Sequence, residues 1–555
     1  MSDAHAVVHR TKRRSVVGRA HQTVLPLLGL VLVVVGLLPG AAARAASNPV
    51  VGGARSPSSQ ARETALPATG YFTTVHKHGR WYFVTPTGQL FFSTGVDHVT
   101  AAPDTDQVTG KCPYCETIQG QYPTTAAWQA ATVAQLRSWG FNSLGPFSDV
   151  SAFGSLMPYS VQLTMASGND WFAPTFVTNA DQVAASQVAP LADDPDLIGW
   201  YTDSELTWGP TIGNQNSELQ DYLELPASSP GHAVAEQYVG RPGDFLYALA
   251  TRYFQVTTAA IRLYDPHHLI LGVKAEGQYI YPQLLEAAGH YINVFSIDDY
   301  ALLPGYAQSI QALWKYLPVT ATLGSFERYA GIPLMVAEYS FIGQTAQTPD
   351  TVPGVYATFP TQAARALAYA DYIAPLYLRA PWVVGDEWFE YVDEPQGGRV
   401  ADGEKNNFGL VDVGNHPYSA LVTQAQTLHS IAPDRTGLSG PFCDAWANGP
   451  SGALCTDTMS KQTYPLGIIG SSLAQGYRGD VYREYVMAEG GTPRYTYAIG
   501  GDPLPVGLHL NRTTGEITGR PKTTGSYLVT IEVTDSSAPT HQMASFTLSL
   551  DILNP

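Results

Sequence analysis

Five apolar stretches of this chain end in the same way, running directly into an acidic side chain: at Asp97, at Asp203 and Glu205, at Asp298 and Asp299, at Glu338, and at Asp386 and Glu387. Short apolar runs of this kind read as buried strands, and stretches with apolar residues at helical spacing lie between them, at 126–137, 244–263 and 361–379. Strands alternating with helices imply parallel strands joined by crossovers. In a TIM barrel the reactive groups come from the C-terminal ends of different strands, which is the pattern repeated here. An open doubly wound sheet is the structural rival, but it usually carries a Gly-rich phosphate loop after its first strand, and no G-x-G-x-x-G follows Val96. The barrel strands expected are 90–96, 141–145, 197–202, 269–273, 294–297, 334–337 and 382–385, with an earlier strand at 81–84 turned by Thr85-Pro86-Thr87-Gly88.

The helical spacing ends at about Asp434, and residues 464–555 show short alternating strands, such as 495–499 and 527–533, separated by Gly, Pro and Asp turns. That pattern predicts a small all-β sandwich following the α/β barrel. The expected division is a signal peptide at 1–45, a flexible lead-in at 46–69, the barrel at 70–434, a linker at 435–463 and the sandwich at 464–555.

Export is read from the first segment. Arg10, Lys12, Arg13, Arg14 and Arg19 precede an apolar run from Val24 to Leu38, and Ala43-Arg44-Ala45 supplies a small-x-small cleavage site. The alternative, an uncleaved N-terminal anchor, is disfavoured by the shortness of the run and by Pro26 and Pro39; no later stretch is apolar and long enough to span a bilayer. The expected location is therefore secreted, with attachment to the cell surface left open. In an exported chain the close pairs Cys112/Cys115 and Cys443/Cys455 suggest disulfides that pin loops. A redox or zinc motif is the alternative for Cys112-Pro113-Tyr114-Cys115, but the second pair is spaced too widely for a zinc ribbon.

Charge narrows the partners. With 30 Lys and Arg against 47 Asp and Glu the net charge is -17, the wrong sign for a phosphate-binding surface, so no nucleic-acid partner is expected. Charged residues are only 14% of the chain, against about 25% usually, which leaves a neutral polar surface suited to neutral substrates.

Two of the acidic strand ends stand out, Glu205 in Thr202-Asp203-Ser204-Glu205-Leu206-Thr207-Trp208 and Glu338 in Val336-Ala337-Glu338-Tyr339. Both should project from one barrel mouth. Glycoside hydrolysis needs two such carboxyls flanking the scissile bond, and at about 5–5.5 Å one acts as nucleophile and the other as acid/base, with retention of configuration. An ionised Glu338 would keep Glu205 protonated for the leaving group; once Glu338 is glycosylated that charge is gone and Glu205 becomes a base. Glu387 is the competing nucleophile. No His or Cys cluster asks for a metal, and two-carboxylate chemistry requires no cofactor.

The segments His78-Gly79-Arg80-Trp81-Tyr82-Phe83-Val84, Gly95-Val96-Asp97-His98 and Gly140-Phe141-Asn142-Ser143-Leu144-Gly145 resemble the opening of β-agarase-like members of the retaining TIM-barrel glycoside hydrolase clan. The resemblance continues through Thr202 to Trp208, Val336 to Tyr339, Trp388 to Asp393 and Asp402-Gly403-Glu404-Lys405-Asn406-Asn407-Phe408-Gly409, covering about residues 70 to 425. It implies Glu205 as acid/base after the fourth strand, Glu338 as nucleophile after the seventh, Tyr300 beside the nucleophile and Trp388 as a sugar platform. The clan usually has Asn before its acid/base Glu, holding the substrate 2-hydroxyl, where this chain has Ser204; an Arg often seen after the second strand is replaced by Gly145 and Pro146.

The C-terminal stretch, with Gly491-Thr492-Pro493-Arg494-Tyr495, Leu504-Pro505-Val506-Gly507-Leu508 and Thr514-Gly515-Glu516-Ile517-Thr518-Gly519, resembles a bacterial immunoglobulin-like module. Such modules act as spacers or adhesion units.

Other residues carry two readings each. Trp208 and Trp388 stack on sugars or fill the core; Asp97 and His98 bind substrate hydroxyls or close the barrel mouth; Lys274, Asp299 and Asp386 are further polar candidates. The expectation is a secreted retaining glycosidase acting on a neutral poly- or oligosaccharide, galactan- or agarose-like. Ser204 keeps open the alternative of a carbohydrate-binding surface protein without turnover.

Overall fold

In the computed structural model, residues 66–436 and 467–554 are described, apart from 78, 207, 209–216, 277–279, 301–326, 328, 344–357, 360, 469–472, 474–475, 487, 490–494 and 538. The segment read as a signal peptide, most of the lead-in, and Cys443 and Cys455 lie outside the described residues.

Nine parallel strands form one sheet, and two of them, Leu269–Gly272 and Ala275–Glu276, are halves of a single interrupted strand. The ring is thus an eight-stranded barrel. Its first strand, Ser93–Val96, pairs with the second, Ser143–Leu144, and on the other side with the eighth, Val383–Trp388, where Ser93 faces Gly385 and Val96 faces Trp388. Tyr159–Gln162, Leu197–Tyr201 and Leu269–Gly272 continue the order as third to fifth strands, and Ala275–Glu276 pairs onward with the sixth, Phe295–Asp298. The seventh strand, Leu334–Tyr339, closes the ring between the sixth and the eighth.

Three barrel strands reach further than the sequence suggested. The sixth runs through Asp298, the seventh through Glu338 and the eighth through Asp386, Glu387 and Trp388, so these polar groups lie within strands and not just beyond them. The third strand, Tyr159–Gln162, escaped sequence reading.

Local chemistry explains the crossover helices. Thr124 and Thr361 cap Thr125–Ser138 and Gln362–Arg379 by accepting from Ala127 N and Ala364 N. The longest helix, Pro242–Tyr264, opens on proline and buries a stripe that includes Phe245, Leu249, Tyr253, Phe254, Thr257 and Ile261. Among the described residues no helix is long and apolar enough to cross a membrane.

The floor of the barrel is sealed by an antiparallel sheet of Thr73–Lys77, Arg80–Val84 and Leu90–Phe91. Phe72, Phe83 and Phe91 pack against Ile198, Leu271 and Met335 of the barrel strands. Burying such a side chain is worth about 1.5–3 kcal/mol, so the plug is a substantial part of the interior.

The C-terminal module is a two-sheet sandwich. Gly476–Tyr477, Met543–Leu553, Gly525–Thr534 and Thr496–Ile499 form one sheet, and Tyr482–Tyr485, Glu516–Gly519 and Leu508–Leu510 the other. Its core includes Tyr482, Tyr497, Ile517, Ile531 and Leu550. The module is fastened to the barrel through Asp480, which is 2% exposed and accepts from the backbone amides of Gly243 and Asp244 (3.0 Å for the latter) in the first turn of Pro242–Tyr264. A Cβ at Gly243 would come within 2.7 Å of the Asp480 carboxylate, so glycine is what lets it approach. Arg520 reaches Asp244 at 3.0 Å, and Arg483 pairs with Glu286 while its carbonyl accepts from Tyr329 Oη at 2.9 Å.

Replacing Asp480 by alanine removes this cap, and we expect a loss of about 1–2 kcal/mol, read as a lowered midpoint of thermal unfolding. An unchanged midpoint would mean that the docking contributes nothing to stability.

Candidate active site

Glu205 follows the fourth strand with φ +49°, and its backbone N–H donates to the carbonyl of Lys274 at 3.0 Å. Lys274 itself has φ +40° and sits in the interruption of the fifth strand. Two non-glycine residues in the left-handed region, bonded to one another, are a costly local arrangement of the kind that gathers at functional sites. Glu205 stands at the open rim of the cleft, with its carboxyl partly enclosed by the walls, whereas Glu338, inside the seventh strand, is 6% exposed. One carboxylate oxygen each of Glu205, Asp298 and Glu338 lies within 4.8 Å of the other two.

Glu338 is held on both oxygens. Lys274 Nζ pairs with Oε1, and Tyr300 Oη donates to Oε2 at 3.1 Å. Lys274 is buried, stands 3.8 Å from Asp298 Oδ2, and lies over the Phe147 ring at 4.8 Å. The proton affinity of Glu205 is pushed up to about 7, first by loss of hydration in the cleft and then by the negative charge of Glu338; the Lys274 ammonium opposes the rise.

Glu387 is fully buried and accepts from Tyr201 Oη at 2.8 Å and Ser160 Oγ at 3.0 Å. Both of its oxygens are thereby engaged, a setting that suits a positioning carboxylate better than an attacking one. Asp97 and Asp298 are likewise buried, without a hydrogen bond among the described residues, and burial holds both far above the usual carboxylate range.

The position where the clan carries an arginine has a steric explanation. A Cβ at Gly145 would land on Asp97 Oδ1 and within 3.0 Å of Glu387 Cδ, so the space is already filled by the buried carboxyl pair. Ser204 is half-buried beside Glu205.

Neither tryptophan offers a free face. Trp388 is fully buried against Tyr339, Phe341 and Tyr369, lies under the Arg365 guanidinium, and spends its N–H on the carbonyls of Glu390 and Phe408. Trp208 is 1% exposed and packs on Trp171 and Tyr253. Both indoles are core residues, because an indole that meets no solvent cannot stack on a sugar entering from solvent. Phe147 is the aromatic that sequence reading missed: just past the second strand, with φ +62°, it is 46% exposed directly above Lys274. The signal was present, since Phe147 follows the Gly145-Pro146 pair that replaces the expected arginine.

Several acidic candidates are structural. Asp203 accepts from the amides of Met165 and Ala166 and from Tyr253 Oη at 2.6 Å; Asp386 accepts from Tyr339 and Tyr377; Asp299 accepts from Tyr372. His98 reaches Glu390 Oε2 through Nδ1 at 2.5 Å and, with Asp104, brings three potential ligand atoms within 4.8 Å of one another. The Arg399 guanidinium, 3.3 Å from Glu394, raises the positive charge around that set and so opposes a cation there. Beside Glu205, Asp298 and Glu338 the cationic position is already taken by the Lys274 ammonium. Cys112 and Cys115 form a disulfide across the first turn of Pro113–Gln121.

Comparison with known proteins is consistent with this geometry. Residues 465–551 match the family model described as "Putative Ig domain". The chain is 23% identical to β-agarase B of Vibrio sp. (strain JT0107) over 476 residues, 65% of this chain and 48% of that protein. It is 23% identical to β-agarase A of the same organism over 487 residues, 68% of this chain and 46% of that protein. The chain thus spans about half the length of the curated relatives it matches. A crystal structure of an agarase superposes with a TM-score of 0.57 at 22% identity, covering 67% of this chain and 65% of that one. The structure of an exo-β-agarase does so with a TM-score of 0.53 at 20% identity, covering 67% of each. The barrel fold is therefore shared with agarase structures.

Substituting Gly145 by alanine forces Asp97 and Glu387 apart, and we expect a destabilisation of about 1–3 kcal/mol in denaturant unfolding. Parent-like stability would show that the carboxyl pair has room to move.

Proposed function

We propose that the chain is an exported glycoside hydrolase that cleaves an agarose-like galactan by a retaining double displacement, with Glu338 as nucleophile and Glu205 as acid/base. The observation that carries this reading is the carboxylate geometry: oxygens of Glu205 and Glu338 lie within 4.8 Å of one another, and a retaining pair has carboxyls about 5–5.5 Å apart, whereas an inverting pair stands about 6.5–9.5 Å apart to admit a water. The substrate class rests on the similarity to β-agarases and on the low charge density of the surface. The secreted location rests on the N-terminal basic and apolar segments.

The steps follow from the charges. Glu338, oriented by Lys274 and Tyr300, attacks the anomeric carbon while protonated Glu205 delivers its proton to the leaving oxygen. Bond formation consumes the negative charge of Glu338. That charge helped to hold the proton on Glu205, so its loss lowers the proton affinity of Glu205 and leaves it in the carboxylate form, which takes a proton from the water that releases the sugar. Phe147 supplies the aromatic face for the sugar ring, in the role first expected of Trp388.

Reducing-end release should appear on one member of a panel of agarose, galactans, glucans, mannans and arabinans, and should vanish in Glu338→Ala and Glu205→Gln. Because Glu205 must carry a proton in the first step, kcat/KM should fall as pH rises through about 7. Full activity of the Glu338→Ala protein would remove the nucleophile assignment, and sugar binding without release across the panel would carry the chain to the non-catalytic reading that Ser204 keeps open. Phe147→Ala should raise KM several-fold with a smaller effect on kcat; an unchanged KM would take Phe147 out of the substrate site.

A further inference from the structure

Lys274 touches both halves of the proposed machinery. Its carbonyl accepts the backbone N–H of Glu205 at 3.0 Å, and its ammonium pairs with Glu338 Oε1. It does so from a break in the fifth strand, where Gly272 (φ +89°) and Lys274 (φ +40°) turn the backbone between the paired segments Leu269–Gly272 and Ala275–Glu276. An unbroken strand would keep this backbone carbonyl in the sheet ladder.

We infer that Lys274 is the positioning residue of the reaction, one side chain and one carbonyl that together fix the gap between Glu205 and Glu338. The inference rests on the two-glutamate reading above. Lys274 is fully buried, so it acts through Glu338 and Glu205 and does not meet the substrate itself. Its place also gives it an electrostatic task. Facing it are Glu338, Asp298 and Glu387 from three barrel strands, Asp97 from just past a fourth, and Glu205 from the loop after another. Glu205 in turn faces Glu338, Glu276 and Glu404, and Lys274 is the positive group that opposes all three. Tyr300 donates to the remaining oxygen of Glu338. In the free protein the ammonium pairs with Glu338 and aims it. When Glu338 carries the sugar, the ammonium remains beside Glu205 and favours its carboxylate form, the form needed as base.

Lys274→Met, Lys274→Gln and Lys274→Arg should be compared with the parent, Glu205→Gln and Glu338→Ala in reducing-end release from agarose across pH, with folding checked by circular dichroism. The two uncharged variants should lose about a hundredfold in kcat with KM little changed, since a misplacement of about 1 Å costs that much. Their alkaline limb should move to higher pH, because the positive charge that lowers the proton affinity of Glu205 is gone, and Lys274→Arg should return the limb to its parent position. Lys274→Gln reads the same shift should the methionine variant fail to fold. Parent-like turnover in the uncharged variants, or a loss of rate with the limb unmoved, would overturn the inference. If the glutamate variants are inactive and Lys274→Met is not, the inference alone falls; if the glutamate variants remain active, the two-glutamate reading falls first.

Discussion

The ammonium of Lys274 is the charge on which the barrel mouth depends. Asp97, Asp298, Glu338 and Glu387 are all nearly or fully buried there, and an uncompensated buried charge costs several kcal/mol. The structure divides that burden three ways. Glu338 is paired with the ammonium, Glu387 is hydrogen-bonded by the hydroxyls of Tyr201 and Ser160, and burial raises the proton affinity of Asp97 and Asp298. Remove the lysine and the remaining carboxyls can only compete for protons.

The other end of the barrel has the opposite character. The hairpin sheet presses Phe72, Phe83 and Phe91 onto Ile198, Leu271 and Met335, so the interior passes from an apolar floor to a polar mouth within the length of a strand. Low polarity below is what makes the carboxyls above sensitive to one another, since charges interact more strongly where water is excluded.

Much of this could be read from the sequence, and the failures have physical causes. Alternating strands and helices and acidic strand ends pointed to the barrel, and Glu205, Glu338 and Tyr300 are brought together where the resemblance implied. The third strand was missed because Tyr159–Gln162 interleaves polar Ser160 and Gln162 with its apolar residues, and Ser160 is needed to bond Glu387. The resemblance implied Trp388 as a sugar platform, yet the strand runs on through it and the side chain turns outward under helix Gln362–Arg379, against Tyr369 and Arg365. Lys274 stood out only weakly, since its role comes from a backbone break that periodicity does not register. Nothing in the sequence linked Asp480 to Gly243, because that contact joins residues far apart in the chain.

That last contact bears on how the chain is made. The N-cap position of helix Pro242–Tyr264 is Arg241, whose side chain makes no capping bond, and the carboxylate that takes the role belongs to Asp480. On a ribosome the helix emerges long before its cap has been synthesised, and domains complete in the N- to C-terminal direction. Until the sandwich arrives, the first-turn amides have only water as acceptor. The first turn of a barrel helix is therefore completed by a carboxylate that lies 236 residues further along the chain.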